Sequence, residues 1–264
     1  MSILRPTFER CRLTEEVPPS ASLIRSLLEL QPDAVLVGGQ SLAAWAQHYA
    51  LAPLPPLVPV FSKDIDFLAR AAVADEIGKK LGGKVFHPSP DDHVQINTAV
   101  VSLPQGSDYV RVDFLAVVAG LDEKDIKKRA LELEAFGTRF RVMHPVDCLT
   151  SRLENLRLLP AKRDEVGVAQ AELAVKVMRE FILEMASAGS ARHVLDLAEF
   201  VAKLATKPAG IEARVHFGIN VLTAIPVEKM PKEFRQKRWP QIKKYYEGKI
   251  QKAIKGSTPR KSAS

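Results

Sequence analysis

Three aspartates on two predicted strands are the residues of this sequence best suited to chemistry. Asp64 and Asp66 stand two apart in "DIDFL", and Asp113 stands in "VRVDFL". Because side chains alternate along a strand, Asp64 and Asp66 share one face, about 7 Å apart along the chain. Like charges held that close repel each other, and a bound divalent cation relieves the repulsion. We therefore treat the three aspartates as candidate metal ligands and catalytic residues.

Carboxylate oxygens at this spacing suit Mg²⁺. Asp113 is flanked by Val112 and Phe114 and is predicted to be the inward-facing acid of its strand, where an unpaired acid is costly. Three acids from two strands can hold two magnesium ions. Two metals about 4 Å apart serve phosphoryl transfer, one activating the attacking oxygen and one steadying the leaving pyrophosphate. A solvated strand end is the alternative for Asp64 and Asp66.

Two glycines, Gly38 and Gly39, follow an apolar run in "VLVGGQSLAAW". Glycine loses more conformational entropy on folding than other residues, so a pair of glycines indicates a backbone requirement. One interpretation is a simple turn. The other is the close approach of a phosphate to backbone N–H groups where a helix begins. The pattern predicts a strand that ends at the glycines and a helix from about Ser41 to about Tyr49.

Alternation and turn residues predict an α/β region over residues 1–144. The segment "LAPLPPLVPVF" contains four prolines and is predicted to be a surface loop or a lid. Predicted helices are "SASLIRSLLEL", "AVADEIGKKLGG" and "DEKDIKKRALEL"; predicted strands are "DAVLV", "DIDFL", "GKVFH" and "FRVMH", with a hairpin of "HVQINTAVVSL" and "DYVRVDFLAVV" around "PQGS".

From Pro145 onward the patterns become helical. The sequence thus predicts an α/β domain at 1–144, a helical domain at 145–254 and a flexible basic tail at 255–264. The expected fold class is α/β (α+β), a mixed sheet with flanking helices followed by a C-terminal helical bundle.

The composition is that of a globular protein: of 264 residues, 46% are hydrophobic and 26% charged. No apolar run approaches the roughly 20 residues that span a bilayer, and charges come too early for a signal peptide, so we expect a cytoplasmic protein without membrane contact. Cys11 and Cys148 lie far apart, and the six histidines lack zinc-site spacing. We interpret them as reduced thiols and ordinary histidines.

The net charge of +7 is concentrated at the C-terminus, where residues 227–264 hold 12 Lys or Arg against 3 Glu, a surplus of +9 that leaves −2 for the rest. One interpretation is a solvated helix with a frayed end. The other is an arm that attracts the phosphates of a nucleic acid. Trp239, Tyr245 and Tyr246 are then candidate stacking surfaces.

The series "GGQS", "DID" on a strand and "VDF" on a later strand resembles the signature of the nucleotidyltransferase superfamily, which has a polymerase beta-like fold. It is most similar to the AbiEii-type nucleotidyltransferase toxins, over roughly residues 33 to 200. The resemblance implies residues for nucleotide binding, metal binding and catalysis. The glycines Gly38 and Gly39 with Ser41 would hold the triphosphate, Asp64 and Asp66 would bind metal, and Asp113 would be the third carboxylate and general base.

In the helical half, the resemblance places Arg152 where the family has a lysine and Gln170 where it has an acid. Arg152 is therefore a candidate nucleotide-binding residue. With Arg157, Lys162 and Arg163 it could form a triphosphate clamp, and a solvated helix face is the alternative.

These observations lead us to expect an enzyme, a Mg²⁺-dependent nucleotidyltransferase that moves an NMP from an NTP such as ATP to an acceptor hydroxyl and releases pyrophosphate. Its expected partners are the NTP, RNA or tRNA bound through the basic C-terminal helix, and an antitoxin. Two alternatives stay open. One is an antibiotic-modifying, small-molecule nucleotidyltransferase, and the other is a catalytically degenerate module that binds nucleic acid.

Overall fold

The structure is a computed structural model that describes residues 17–31, 33–51, 64–89, 97–135 and 137–257. The predicted proline-rich loop after Leu51 lies outside the described residues. So do Cys11 and residues 258–264 of the predicted flexible tail.

The described strands form one mixed sheet of seven, in the order β3-β4-β5-β2-β1-β7-β6. Strand β2 lies near its middle, parallel to β5 and antiparallel to β1, and β1 is parallel to β7. The predicted mixed α/β fold is therefore confirmed. The strands are β1 Val35–Val37, β2 Asp64–Leu68, β3 Lys84–Phe86, β4 Asn97–Gln105, β5 Asp108–Leu115, β6 Leu131–Ala135 and β7 Thr138–Val142.

The helices of the first half begin and end where local sequence favours it. The Ser20 hydroxyl accepts from the Leu23 N–H at the start of α1, and Asp122 caps α4 in the same way. Gly82 ends α3 in the left-handed conformation. The helices are α1 Ala21–Leu30, α2 Gly38–His48, α3 Ala71–Leu81 and α4 Glu123–Arg129.

Two boundaries differ from the prediction. Strand β6 occupies "LELEA", part of which the sequence pattern assigned to a helix. Leu133 and Ala135 are buried, whereas Glu132 and Glu134 are exposed. This alternation is typical of a strand. Helix α2 begins at Gly38 rather than near Ser41, so both glycines belong to its first turn.

A helical bundle follows the sheet, and the described residues from Pro145 to Ser257 contain no strand. The hydrophobic core runs without a break from the sheet into these helices. The proposed domain boundary at residue 144 stays a prediction. The helices are α5 Pro145–Leu158, α6 Glu165–Ser187, α7 Ala191–Ala205, α8 Pro208–Phe217 and α9 Trp239–Ser257.

In the described part of the chain, no helix has both the length and the apolar character needed to cross a membrane.

An ion pair between a buried acid and a partly exposed arginine joins the two halves. Asp147, in the first turn of α5, is 1% exposed, and Arg129 at the end of α4 donates to its two oxygens at 2.9 and 3.1 Å. Burial raises the pKa of the Asp147 carboxyl, and the Arg129 guanidinium opposes that rise. The arginine thereby offsets part of the cost of burying a carboxylate at the junction of sheet and bundle.

Replacing Arg129 with Gln should lower the free energy of unfolding by about 2 kcal/mol, because Asp147 stays buried without its cation. The loss is limited because water screens the exposed part of the pair. Arg139→Gln is the matched control, since Arg139 pairs with Glu134 at the surface. It should change stability by less than about 1 kcal/mol. Urea denaturation measures both, and equal losses would contradict a special role for the buried pair.

Candidate metal centre

The three predicted aspartates come together on one face of the sheet. Strands β2 and β5 pair in parallel, with Asp66 directly opposite Asp113 and Asp64 opposite Arg111. One carboxylate oxygen from each of Asp64, Asp66 and Asp113 lies within 4.8 Å of the others. Asp113 is buried and the other two are half-buried. This acid cluster has the donor atoms and spacing to hold a metal ion, which prefers such oxygen ligands when it is a hard divalent cation.

The charges in the acid cluster act most strongly on Asp66. Burial raises the pKa of its carboxyl to about 7, and the negative charges of Asp64 and Asp113 contribute to the rise. Arg152 and Lys162 oppose it without cancelling it. A divalent cation bound between the carboxylates would relieve this repulsion and favour the ionised form of Asp66.

Asp113 is oriented by two neighbours that the sequence analysis did not identify. Arg111 donates through Nε to Oδ1 of Asp113 at 2.8 Å, and Asn97 donates through Nδ2 to the same oxygen at 3.1 Å. Arg111 could have been found, because it stands two residues before Asp113 on one strand and shares its face. Asn97 comes from β4, at an irregularity in its pairing with β5 that leaves no sequence signal.

Gly38 packs directly against a candidate metal ligand. Its φ is +66°, and a Cβ built on it would lie 1.8 Å from Oδ2 of Asp66. Strand pairing produces this contact, since Val37 is opposite Asp66 and Gly38 follows Val37. Glycine is required here for both its backbone conformation and its lack of a side chain. Its predicted role in phosphate binding stays a prediction.

Gly39 and Ser41 are buried in the first turn of α2. The Ser41 hydroxyl donates to the Gly38 carbonyl at 2.9 Å and lies 3.6 Å from Sγ of Cys148. Burial raises the pKa of the Cys148 thiol to about 12, so the thiol is protonated. In these contacts Ser41 holds the turn that contains Gly38, and nucleotide binding by Ser41 stays a prediction.

Arg152 extends from α5 and is only 8% exposed, so the alternative of a solvated face is wrong for this residue. Its Nη1 donates to Oε1 of Gln170 at 2.8 Å, while its buried Nε has no hydrogen-bond partner among the described residues. Burial lowers the pKa of the guanidinium, and Asp66, Cys148 and Asp64 oppose that effect. Because Gln170 is neutral, the positive charge of Arg152 acts on the acid cluster instead of being cancelled by its partner.

The other three members of the predicted clamp differ in their surroundings. Arg163 donates to the carbonyls of Leu156 and Arg157 at the end of α5, and Arg157 pairs with Glu154. Lys162 is exposed, and its charge acts on Asp66. Arg152 and Lys162 are thus the two predicted clamp residues whose charges act on Asp66.

No protein-family model matches the chain, and no curated protein matches it. The resemblance to nucleotidyltransferases therefore stays an expectation from the sequence motifs.

Gly38→Ala should lower both stability and metal affinity, because the new methyl group meets the Asp66 carboxylate. Gly82→Ala is a matched control, since Gly82 has the same φ of +66° and an added Cβ there would have no atom within 4 Å. The control should lose about 1–2 kcal/mol from backbone strain alone. Denaturation and Mn²⁺ titration should show a larger loss of stability, and weaker metal binding, for Gly38→Ala only. Equal behaviour of the two variants would contradict the contact with Asp66.

Proposed function

We propose that the protein is a Mg²⁺-dependent nucleotidyltransferase that transfers an NMP from an NTP to an acceptor hydroxyl with release of pyrophosphate. The observation that carries this proposal is the meeting of three carboxylates on adjacent strands beside the first turn of a helix. Carboxylates on a rigid sheet, next to a helix N-terminus that favours anions, are an arrangement suited to binding a metal–triphosphate complex.

In this proposal Asp64, Asp66 and Asp113 hold the metal. Bound Mg²⁺ supplies positive charge to the phosphate oxygens and to the departing pyrophosphate. Asp113 accepts the proton of the acceptor hydroxyl, and its hydrogen bonds from Arg111 and Asn97 fix the orientation of its carboxylate.

The phosphates of the NTP would lie at the first turn of α2, where Gly38 leaves room beside the acid cluster. Backbone N–H groups at a helix N-terminus lack partners within the helix and attract anions. Arg152 and Lys162, whose charges already act on Asp66, would neutralise part of the triphosphate. In the proposed site Arg152 has a spare donor, the buried Nε that no described residue accepts from.

We propose RNA, tRNA in particular, as the acceptor, because the basic surplus is concentrated on α9 and the turns before it. Lys244, Lys249 and Lys252 lie on one face of α9 with Tyr245, which is 58% exposed, and the Lys249 ammonium lies 5.5 Å from its ring centre. We name this the outer face. Exposed aromatic and cationic side chains together suit a nucleic acid strand. Of the other two predicted stacking residues, Trp239 is half-buried and Tyr246 is 5% exposed, so Tyr246 offers no open ring surface.

An antitoxin partner, which the toxin resemblance implies, and a cytoplasmic location, which the sequence analysis predicts, are part of the same proposal.

The test of the proposal is to incubate the protein with each labelled NTP, Mg²⁺ and total RNA, and to identify what carries label. We expect labelled RNA and released pyrophosphate. Replacement of Asp64, Asp66 or Asp113 with Asn should remove the activity, because each change takes away a charged metal ligand. Label on an aminoglycoside-type small molecule instead of RNA would favour the small-molecule enzyme. Absence of any transfer with intact RNA binding would favour the degenerate module.

A stability measurement separates loss of chemistry from loss of fold. In metal-free buffer at pH 8, Asp66→Asn should unfold at the same or a higher temperature than the parent, because it relieves repulsion from Asp64 and Asp113. A gain of about 1 kcal/mol corresponds to roughly 2–4 °C in a chain of this size. Added Mg²⁺ should raise the melting temperature of the parent only. An active Asp66→Asn enzyme would rule out the proposed centre.

Reversal of Lys244, Lys249 and Lys252 to Glu should raise KM for RNA and leave NTP affinity unchanged, because these lysines lie on the outer face. The salt dependence of RNA binding should become shallower, by roughly one unit of slope for each phosphate that is no longer neutralised. Reversal of three exposed lysines elsewhere, Lys79, Lys124 and Lys128, makes the same change in net charge and is the control. If both triple variants bind RNA alike, α9 is not the RNA surface.

A further inference from the structure

A concave site lies in the helical bundle, on the side of α9 that packs against α8. It has a volume of about 480 Å³ and is formed by residues of α6, α8, α9 and the turn at Val221–Ala224. We name it the bundle cleft. Arg179 contributes to its wall and stands nine residues beyond Gln170 on α6, or roughly 13 Å along the helix. The bundle cleft is thus separate from the part of α6 that meets Arg152.

The walls of the bundle cleft combine an apolar floor with cations. Leu222, Ile225 and Ile250 form apolar lining beside the rings of Trp239 and Tyr246. The charged lining groups are Arg179, Arg214, Lys243 and Glu247, so positive charge is in excess. Small-molecule sites commonly have this composition, an apolar surface with a few charged groups that fix orientation.

A buried hydroxyl and an exposed guanidinium both line the bundle cleft. The buried hydroxyl of Tyr246 has no hydrogen-bond partner among the described residues. Burial raises the pKa of this hydroxyl, and the nearby charge of Arg214 opposes the rise. The hydroxyl is therefore a protonated donor close to the Arg214 guanidinium, which itself makes one bond, from Nη1 to the Gly218 carbonyl at 2.9 Å. Two neighbouring donors that share no acceptor can both donate to one anionic oxygen of a ligand.

Of the cations, Arg179 is already engaged. It donates to Glu228 and to the carbonyls of Thr223 and Ile225, so it holds the turn at Val221–Ala224 in place. Arg214 and Lys243 are both exposed and stand on facing helices, α8 and α9. These two are the groups best placed to bind a ligand anion at the mouth of the bundle cleft.

We propose that the bundle cleft binds a nucleotide unit, with its phosphate at Arg214 and Lys243 and its base against the apolar floor beside Trp239. A nucleotide is the class of ligand that joins a flat, weakly polar ring to a phosphate, and aromatic and cationic side chains bind those two parts. The nucleotide is either free or part of a strand that crosses α9 from the outer face. Only the strand, as the source of the nucleotide, depends on the proposal that RNA is the acceptor.

Isothermal titration of the full chain with AMP, GMP, CMP and UMP tests the free nucleotide. EDTA is present throughout, because without a metal the acid cluster repels phosphate and leaves the bundle cleft as the site under test. We expect at least one monophosphate to bind, and ribose 5-phosphate and the matching nucleoside to bind several-fold more weakly. Titration with a single-stranded RNA of ten nucleotides, with and without the best-binding monophosphate as competitor, tests whether the bound nucleotide is part of an RNA strand.

The variants locate the site. Lys243→Gln should weaken binding about tenfold, the loss expected for one charge-assisted hydrogen bond, whereas Lys79→Gln, the same change at an exposed position on α3, should leave binding unchanged. Tyr246→Phe removes one oxygen without a change of charge and should also weaken binding. Arg214→Gln should weaken binding at least as much as Lys243→Gln, with a melting temperature equal to that of the parent as its control for folding.

The outcomes decide the proposal independently of the nucleotidyltransferase activity. Binding that depends on Lys243 and survives Asp66→Asn supports a nucleotide site in the bundle cleft even if no transfer is ever detected. Binding to RNA alone, abolished in Lys243→Gln and not displaced by monophosphates, supports the strand as the source. No binding of either probe, or equal binding by the Lys243→Gln and Lys79→Gln variants, overturns the proposal.

Discussion

The repulsion among three carboxylates on neighbouring strands is the constraint on which the rest of the site depends. Backbone pairing fixes Asp66 opposite Asp113, so the acids cannot separate without breaking the ladder between β2 and β5. These strands lie inside the sheet, between β4 and β1. The protein therefore balances the charge by placing cations around the acids: Arg111 on the same sheet face, and Arg152 and Lys162 from the helical half. This requirement gives a physical reason for the helical half to pack where it does.

The first turn of α2 is coupled to that charge balance through packing. Gly38 lies against Asp66, and Ser41 fixes the Gly38 carbonyl from within the helix. Further along α2, the Trp45 Nε1–H donates to the Met143 carbonyl at 2.9 Å, which ties the helix to the chain just before α5. A helix held at both ends can keep its N-terminal N–H groups at a fixed position relative to the acid cluster. Such fixed groups are what an electrostatic site needs, since they do not reorganise when charge develops.

The sequence predicted the three aspartates of the acid cluster better than their surroundings, for reasons that particular residues make clear. Side-chain alternation along a strand placed Asp64 and Asp66 on one face. Their proximity to Asp113 depends on the order of strands in the sheet, which no local sequence pattern contains. The pair of glycines was recognised, but only strand register shows that Gly38, rather than Gly39, follows the residue opposite Asp66. Strand β6 was missed because "DEKDIKKRALEL" is rich in strong helix formers and tertiary pairing overrode that preference. The burial of Arg152 was equally inaccessible, since it arises from the packing of α5 on α6.

The charges around the acid cluster give a reason for the hydrogen-bond partner of Arg152, Gln170, to be neutral in the proposed function. The acid cluster carries three negative charges when fully ionised, and Arg111, Arg152 and Lys162 bring three positive charges, so the site and its surroundings are balanced. A nucleoside triphosphate carries about four negative charges, and two magnesium ions offset them, so the complete complex could enter without changing the balance. An acid in place of Gln170 would pair with Arg152 and remove one of the three cations from this count. With glutamine, Arg152 is held in position by a hydrogen bond while its charge still acts on the acid cluster.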